Sequence, residues 1–373
     1  MRGYLLLGAD GFLGNQIRRG LELRGMGTSL VAVGGAGSSP PVGSICTWGR
    51  MDPARVLVDD LTRVLSDLMP AIVVNAFGST AGDRDGGERV HVAFAMALVE
   101  ALARVGAGRL IHLGSAAEYG TQPAGTPIAE TAPARPAEGF GTAKLLATEL
   151  ILSRMEDHDL SAVVLRVFDA VGSGAPERSL AGAARRSIRR ALQLRSAVAT
   201  VGQLAVVRDF LAADDLAEAV VRVAGGVDIP PILNVGRGVA MSGRSMVELL
   251  AGAAGFDGDV LEPRRNIWHR PPAASWQQAD VSLLRSALQW VPVIPIADAV
   301  ADLWWSGSAL LGPSDPRYRS GVPIGPPGGA RPGRCCRPRG HGPVGPGCPP
   351  GPAGTQPPIS DTPCPGGPRR SSE

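Results

Sequence analysis

Short runs of mostly apolar residues alternate along the chain with longer stretches in which apolar residues recur at helical spacing. The apolar runs, which predict strands, are Tyr4–Leu7, Ser29–Val33, Ala71–Val74, Arg109–Leu113 and Ser161–Val167. The helical spacing covers residues 15–24, 90–105 and 140–155. Strands that are apolar at almost every position are buried on both faces. The alternation therefore predicts an α/β fold with a parallel sheet covered by helices on both sides.

The first predicted strand runs into a turn with three glycines, Gly8, Gly11 and Gly14, and then into a helix. Glycine lets the chain turn sharply, lets the backbone approach a phosphate and lets the helix pack close to the strand. The free amides at the start of that helix, at Asn15, would face an anion. Phe12 and Leu13, in the turn before it, are also expected to bind the cofactor. We predict a dinucleotide-binding site here; the ordinary alternative is a glycine-rich turn without a ligand.

Small and polar residues stand at the carboxyl ends of the later predicted strands. These positions are Asn75, Ala76, Phe77 and Gly78 after the third strand, Ser115 and Tyr119 after the fourth, and Val167 and Asp169 at the end of the fifth. In an open parallel sheet, the loops at the carboxyl ends of the strands form the ligand crevice. We therefore expect these residues to lie close to cofactor or substrate.

The second predicted strand ends in glycines and serines, residues 34–39, without an acidic residue. Sites specific for NAD usually place an Asp or Glu there to bind the ribose 2′-hydroxyl. Without that acid a 2′-phosphate meets no repulsion, so NADP(H) is favoured over NAD(H). Arg18, Arg19 or Arg50 could supply a positive charge, although each also fits an ordinary solvated surface position.

In this order, the motifs resemble the extended short-chain dehydrogenase/reductase family, which includes NAD-dependent epimerases and dehydratases. The matching stretches are Gly8 to Gly14, Asn75 to Gly78, Gly114 to Gly120, the predicted helix with Gly141 and Lys144, Val207 to Asp215, Leu233 to Gly236 and Leu288 to Pro292. The resemblance covers about residues 1–306. It implies a Rossmann-type doubly wound parallel sheet with a smaller, discontinuous substrate-binding lid region.

The resemblance also implies a division of the chain. An NADP-binding Rossmann domain would span residues 1–171, followed by a first lid segment at 172–197, a return to the Rossmann sheet at 198–235 and a C-terminal substrate-binding region at 236–311. From Gly312 onward, residues 312–373 are rich in proline and glycine and poor in aliphatic side chains. Because such a segment cannot bury enough apolar surface, we predict that it is disordered.

The family's catalytic Tyr-x-x-x-Lys pair and its serine are matched only in part. The serine corresponds to Ser115 and the lysine to Lys144, which in the family bonds the nicotinamide ribose, but Phe140 stands in the tyrosine position. A phenyl ring cannot give or take a proton. Three interpretations stay open: a non-catalytic relative, a proton supplied by another residue such as Tyr119, or a reaction that needs no strong acid there.

The expected substrate-binding residues are Ser115, Tyr119, Phe140, Asp169, Arg208, Trp268, His269 and Trp276. Asp169 stands where relatives that bind sugar nucleotides carry an Asn on the substrate diphosphate. An ionised Asp would repel it, because like charges about 4 Å apart cost roughly 4 kcal/mol at an effective dielectric near 20. The alternative is that Asp169 pairs with an arginine. The two tryptophans could form an aromatic pocket wall or ordinary core, and His269 is a candidate proton donor.

The leading hypothesis is an NAD(P)H-dependent ketoreductase that acts on a ketone of an aromatic polyketide antibiotic intermediate. Reduction tolerates the loss of the tyrosine better than alcohol oxidation, which needs a base. Ser115 would polarise the carbonyl, and water or Ser115 would supply the proton. The pattern is similar to the tyrosine-lacking ketoreductase of simocyclinone biosynthesis. The alternatives are a nucleotide-sugar 4-ketoreductase or epimerase in deoxysugar biosynthesis, and a non-catalytic NADP-binding relative.

Composition adds few further constraints. The chain has 373 residues with a net charge of +3, which gives no argument for nucleic acid or a membrane as partner. Without a signal peptide or a long apolar stretch, a cytoplasmic enzyme with a small-molecule ketone substrate is expected. No group of His, Cys and Asp has metal-ligand spacing, so no metal is predicted. The resemblance implies a homodimer through the helices at 90–105 and 141–155.

Overall fold

The computed structural model describes residues 3–78, 92–106, 108–137, 139–158, 160–263 and 275–306, without the side chains of residues 156–158. The strands are β1 (Tyr4–Leu7), β2 (Leu30–Gly34), β3 (Thr47–Arg50), β4 (Ile72–Asn75), β5 (Arg109–Ser115), β6 (Ala162–Val167), β7 (Asp169–Val171), β8 (Val198–Thr200), β9 (Val207–Ala212), β10 (Ile232–Val235), β11 (Ala240–Ser242) and β12 (Asp259–Leu261). The helices are α1 (Phe12–Leu23), α2 (Val58–Leu68), α3 (Phe94–Val105), α4 (Phe140–His158), α5 (Leu180–Gln193), α6 (Ala213–Gly225), α7 (Gly243–Ala254), α8 (Ser282–Leu288) and α9 (Ile296–Trp305).

A seven-stranded parallel sheet forms the centre of the fold, with the strand order β10-β6-β5-β4-β1-β2-β3. From β1, the strands β2 and β3 extend the sheet to one side, and β4, β5, β6 and β10 extend it to the other, so the strand order reverses between β1 and β4. In such doubly wound sheets, this reversal opens a crevice at the carboxyl ends of the strands. The predicted Rossmann-like α/β fold is therefore confirmed, and the glycine turn after β1 lies at the crevice.

Both faces of the sheet are covered, as the apolar strands predict. Leu6 in β1 belongs to a core shared with α1 and α6, whereas its neighbours Leu5 and Leu7 belong to a second core shared with α2, α3 and α4. Successive side chains in a strand point to opposite faces, so an unbroken apolar run serves two helical layers at once. All three leucines are fully buried.

A smaller layer follows the sheet. It contains a three-stranded sheet of β11, β9 and β7 and a two-stranded pair of β12 and β8, which share a separate core with α5, α7 and α9. We expected the chain to return to the main sheet at residue 198. That residue is too early, because β8 pairs with β12 and β9 pairs with β7, outside the main sheet. The chain rejoins the seven-stranded sheet only with β10.

The sheet contains one strand, β3, that the pattern of apolar runs did not predict. Strand β3 has the sequence Thr-Trp-Gly-Arg, which lacks an apolar run, and it forms the sheet edge beside β2.

Within the described residues, no helix is long and apolar enough to cross a membrane, and no group of His, Cys, Asp or Glu side chains could hold a metal ion. The expected homodimer stays a prediction; Met96 on α3 and Leu146 on α4 are about half exposed.

Candidate active site

The glycine turn after β1 is packed backbone against backbone. Gly8 has a φ of +85°, and a Cβ atom on it would lie 2.6 Å from the backbone nitrogen of Phe77. A Cβ on Gly14 would lie 1.9 Å from the carbonyl oxygen of Gly8. Neither position can hold a side chain, so α1 is pressed against the end of β1 as the glycine spacing predicts.

The start of α1 presents free backbone donors at this turn. Gly11 is the N-cap and contributes no side-chain hydrogen bond, and the amide of Asn15 makes the first helical bond, 2.8 Å from the carbonyl oxygen of Gly11. The amides of Phe12, Leu13 and Gly14 precede that bond, so the helix offers them no acceptor. A cradle of donors at the positive end of a helix fits a dinucleotide pyrophosphate.

The end of β4 supports the turn. Asn75 is buried, and its side-chain oxygen accepts a hydrogen bond from the amide of Phe77 at 3.2 Å. Its Nδ2 lies 3.0 Å from Nδ1 of His112 in the neighbouring strand β5. The amide of Ala76 donates to the carbonyl of Leu7, and Gly78 is exposed at the strand end. Direct cofactor contacts by this segment stay a prediction; its role within the described residues is to fix the β1 and β4 ends.

Ser115, the last residue of β5, caps a short 3₁₀ helix, Ala116–Tyr119. Its Oγ accepts a hydrogen bond from the amide of Ala117 at 3.1 Å, and its own amide donates to Oε1 of Glu118 at 2.8 Å. This is a capping box, which the Ser-x-x-Glu sequence could have revealed. The bond uses Oγ as an acceptor, so the hydroxyl proton remains for a ligand. Ser115 is partly exposed and next to buried Val167 in the sheet.

Lys144 on α4 reaches the same end of β5. Its Nζ donates to the carbonyl of Leu113 at 2.7 Å, and the residue is 5% exposed. Burial lowers the pKa of Lys144 to about 8, against the opposing attraction of Glu118. The half-buried ring of Phe140 lies one turn before it, with its centroid 5.9 Å from Nζ. Lys144 and Phe140 therefore lie beside the end of β5 that carries Ser115; their joint role in a reaction stays a prediction.

Tyr119 does not fit the predicted role of proton donor or substrate ligand. Its side chain is fully buried, and its hydroxyl donates to Oδ1 of Asn234 at 2.7 Å. The guanidinium of Arg166 stacks on its ring at 4.5 Å and also forms a buried ion pair with Glu118 at 2.8 Å. Burial raises the pKa of Tyr119. The structure therefore gives no support to Tyr119 as a proton donor, because the segment after β5 places this tyrosine in a buried cluster with Ile128 and Phe168.

Asp169 and Arg208 pair across the smaller sheet. Oδ2 of Asp169 lies 3.4 Å from Nε of Arg208, whose side chain is 8% exposed. The side chain of Asp169 is 44% exposed; burial by the surrounding chain raises the pKa of Asp169, against the charge of Arg208, which lowers it. The pairing predicted as the alternative for Asp169 is therefore what the structure shows.

The remaining predicted substrate residues divide into two groups. Trp276 lies beside β9: its neighbours Ser275 and Gln277 bond to the backbone of Val207, and its indole N–H donates to the carbonyl of Thr126 at 3.3 Å. The half-buried Trp276 therefore lies beside the part of β9 that carries Arg208. Trp268 and His269 lie outside the described residues, as does the tail from residue 312 onward.

Comparison with known proteins agrees with this geometry. Residues 4–236 match the sequence model of a protein family described as "NAD dependent epimerase/dehydratase family". A dTDP-6-deoxy-L-talose 4-dehydrogenase (NAD(P)(+)) of Kitasatospora kifunensis is 34% identical over 313 residues, which cover 81% of this chain and 95% of that protein. A UDP-glucose 4-epimerase of Streptomyces lividans is 32% identical over 240 residues, covering 60% of this chain and 70% of the relative.

Solved structures show the same fold. MoeE5 in complex with UDP-glucuronic acid and NAD superimposes with a TM-score of 0.68 at 23% identity, covering 81% of this chain and 97% of that one. RMD from Pseudomonas aeruginosa complexed with NADPH superimposes with a TM-score of 0.66 at 24% identity, covering 82% and 97%. On the length of the sequence matches and this shared fold, the chain belongs to the NAD-dependent epimerase/dehydratase family.

Proposed function

We propose that this protein is an NAD(P)-dependent oxidoreductase that interconverts a 4-keto group and a 4-hydroxyl group on a nucleoside-diphosphate deoxysugar. The carrying observation is the 34% identity to a dTDP-6-deoxy-L-talose 4-dehydrogenase over 95% of that protein's length. The relatives favour this sugar-nucleotide alternative over the polyketide ketone that the sequence suggested first. The intact Ser115 and Lys144 arrangement supports a catalyst rather than a scaffold.

The chain's own residues would divide the work as follows. The bound cofactor supplies or accepts a hydride at the nicotinamide ring. The amides of Phe12, Leu13 and Gly14 would hold the pyrophosphate, and Lys144 would exchange its bond to the Leu113 carbonyl for the nicotinamide ribose. Ser115 would donate its hydroxyl proton as a hydrogen bond to the sugar carbonyl, which makes the carbon more electrophilic.

The direction of the reaction follows from Phe140. Oxidation of an alcohol requires a base that removes the hydroxyl proton, and a phenyl ring cannot act as one. Reduction requires only that the developing alkoxide is stabilised and then protonated. Lys144, positively charged below about pH 8, and the hydroxyl of Ser115 lie at that end of β5. We therefore favour reduction of a 4-ketone, with water supplying the proton through Ser115.

Arg208 is the residue we assign to the substrate diphosphate. It is a buried cation at the crevice wall, beside the half-buried Trp276 segment. Its partner Asp169 is partly exposed, so a diphosphate could displace that carboxylate and take its place on the guanidinium. The Asp169 charge would weaken diphosphate binding without preventing it.

The test follows NADH and NADPH absorbance with a dTDP-4-keto-6-deoxysugar and, separately, with quinone-type polyketide ketones. We expect oxidation of the reduced cofactor with the sugar nucleotide. Turnover confined to the polyketide ketones would overturn the proposal. Cofactor binding without turnover on either substrate would indicate a non-catalytic relative.

Restoring the tyrosine tests the role that we assign to position 140. Phe140→Tyr places a phenol one helical turn from Lys144, and we expect reduction to become about tenfold faster or more. Phe94→Tyr, a buried site in the core behind β4, provides a control for the added hydroxyl and should not accelerate the reaction. A Phe140→Tyr variant that binds cofactor normally but is no faster would contradict the assigned role of this position.

A further inference from the structure

The glycine turn carries an acid that the end of β2 lacks. Oδ2 of Asp10 accepts a hydrogen bond from the amide of Gly35 at 3.0 Å, and Gly35 directly follows β2. Asp10 is exposed, so the carboxylate is accessible to a ligand. The carboxylate therefore stands at the end of β2, although no acidic residue follows that strand in the sequence.

This is the place at which a dinucleotide-binding fold distinguishes the two forms of its cofactor. An acid at the end of the second strand accepts a hydrogen bond from the 2′-hydroxyl of the adenosine ribose and repels a 2′-phosphate. We propose that Asp10 fills this role from the glycine turn and selects NAD(H) over NADP(H). The inference rests on the dinucleotide site of the proposed function but not on its substrate.

The arginines that could favour a 2′-phosphate are differently placed. Arg18 is 4% exposed and is already held by Glu22, Asn15 and Ser44. Arg19 donates to the side chain of Gln16 on its own helix. Among the described residues, neither of these two arginines has a hydrogen bond to residues 35–39, which directly follow β2; Arg18 reaches only Ser44, farther along that segment.

Arg50 contacts residues 35–39, the part of the chain that directly follows β2. It lies at the end of β3, is exposed, and its Nε donates to the carbonyl of Ser38 at 2.5 Å. The hydroxyl of Ser38 in turn donates to the carbonyl of Gly35 at 2.7 Å. A cation near Asp10 reduces the repulsion of a phosphate, so we expect a graded preference for NAD(H) and not an absolute one.

The experiment measures binding by calorimetry and therefore does not depend on turnover. The ligands are NADH and NADPH, together with 5′-AMP and adenosine 2′,5′-bisphosphate, which report the ribose site without a nicotinamide ring. For the natural protein we expect the 2′-hydroxyl member of each pair to bind about tenfold more tightly or better.

The diagnostic variant is Asp10→Asn, because an amide oxygen can still accept from the Gly35 amide while the charge is removed. We expect its affinity for NADPH and for the bisphosphate to rise about tenfold, with a smaller change for NADH. Asp67→Asn, on the exposed side of α2, is the control for net charge and should alter neither ratio. Thermal unfolding checks that both variants fold.

Equal or tighter binding of NADPH by the natural protein, with a ratio that Asp10→Asn leaves unchanged, would overturn this proposal alone. Failure of the natural protein to bind any dinucleotide would overturn it together with the cofactor site. Selective NADH binding without turnover of a sugar nucleotide would uphold the role of Asp10 and contradict only the proposed reaction.

Discussion

At the turn between β1 and α1, Gly8 and Gly14 meet backbone so closely that neither can carry a side chain, whereas along β9 the crevice wall is held by charged side chains. A Cβ on Gly14 would lie 1.9 Å from a carbonyl oxygen. Arg208 and Asp209, adjacent on β9, instead pair with Asp169 and with three backbone amides. The packing of Gly8 and Gly14 is set by shape, whereas the β9 wall is held together by charge.

This difference has a consequence for mutation. Gly8 and Gly14 should tolerate no added side chain, and their packing should not depend on pH, because these backbone contacts involve no titratable group. The β9 wall should tolerate substitutions of similar size and respond to pH and to charge removal. The following four predictions test that contrast, from the largest expected effect to the smallest.

Gly14→Ala should abolish dinucleotide binding and destabilise the fold by about 3 kcal/mol or more, because the new methyl group must displace the Gly8 backbone. Gly252→Ala on α7 is the matched control: a Cβ there meets nothing within 4 Å, so this helical glycine should gain roughly 0.5–1 kcal/mol. Chemical denaturation and calorimetric titration with NADH would measure both. A Gly14→Ala protein that binds cofactor normally would show that shape does not specify this end.

Asp209 should make the stability of the natural protein fall as pH rises. It is fully buried and accepts hydrogen bonds from the amides of Arg237, Gly238 and Ala279, yet burial raises its pKa to about 6 from 3.8 in the unfolded chain. The folded state then holds the proton more tightly. The stabilisation that Asp209 gives the folded state through this proton is complete below about pH 4. Between pH 4 and 6 the free energy of unfolding falls by roughly 3 kcal/mol as that stabilisation is lost.

Asp209→Asn removes this titration and isolates it. We expect the difference in unfolding free energy between the natural protein and the variant to fall over that pH interval, as measured by urea denaturation at several pH values. Asp67→Asn, which alters an exposed carboxylate, should show the slope of the natural protein. A difference that stays constant across the interval would contradict the pKa assigned to Asp209.

Lys144→Met should slow hydride transfer about 100-fold, because the position loses both its charge and its donor. In the natural protein the rate should decline as pH rises above about 8, where Lys144 loses its proton. Lys144→Arg keeps the charge and should remove that decline while lowering the rate. Pre-steady-state absorbance at several pH values would measure all three; a natural protein with a flat profile from pH 7 to 10 would exclude a charged Lys144 from the reaction.

Asp169→Asn should strengthen binding of dTDP about tenfold, because it releases Arg208 and removes a negative charge that is only partly screened by solvent. Arg208→Ala should weaken it, and Asp67→Asn should leave it unchanged. Calorimetric titration with dTDP measures each affinity. Unchanged or weaker binding by Asp169→Asn would contradict the assignment of the diphosphate to Arg208.

Much of this molecule follows from the sequence alone. The mostly apolar runs of β1, β4, β5 and β6 predicted a parallel sheet covered on both faces, because strands that are apolar at almost every position are buried on both sides. The spacing of Gly8, Gly11 and Gly14 predicted the close turn, since a turn this tight requires residues without a side chain at those positions. These are local properties, which neighbouring residues determine.

Only the tertiary structure decided which side chains meet across distant segments. Tyr119 has the residue type of a proton donor, but the side chains of Asn234 and Arg166, far along the chain, bury and bond it. Asp10 is too far in sequence from the end of β2 for any strand-end pattern to assign it there, yet folding brings its carboxylate to Gly35. Burial and charge pairing depend on contacts between remote residues, and the order of residues along the chain does not specify them one by one.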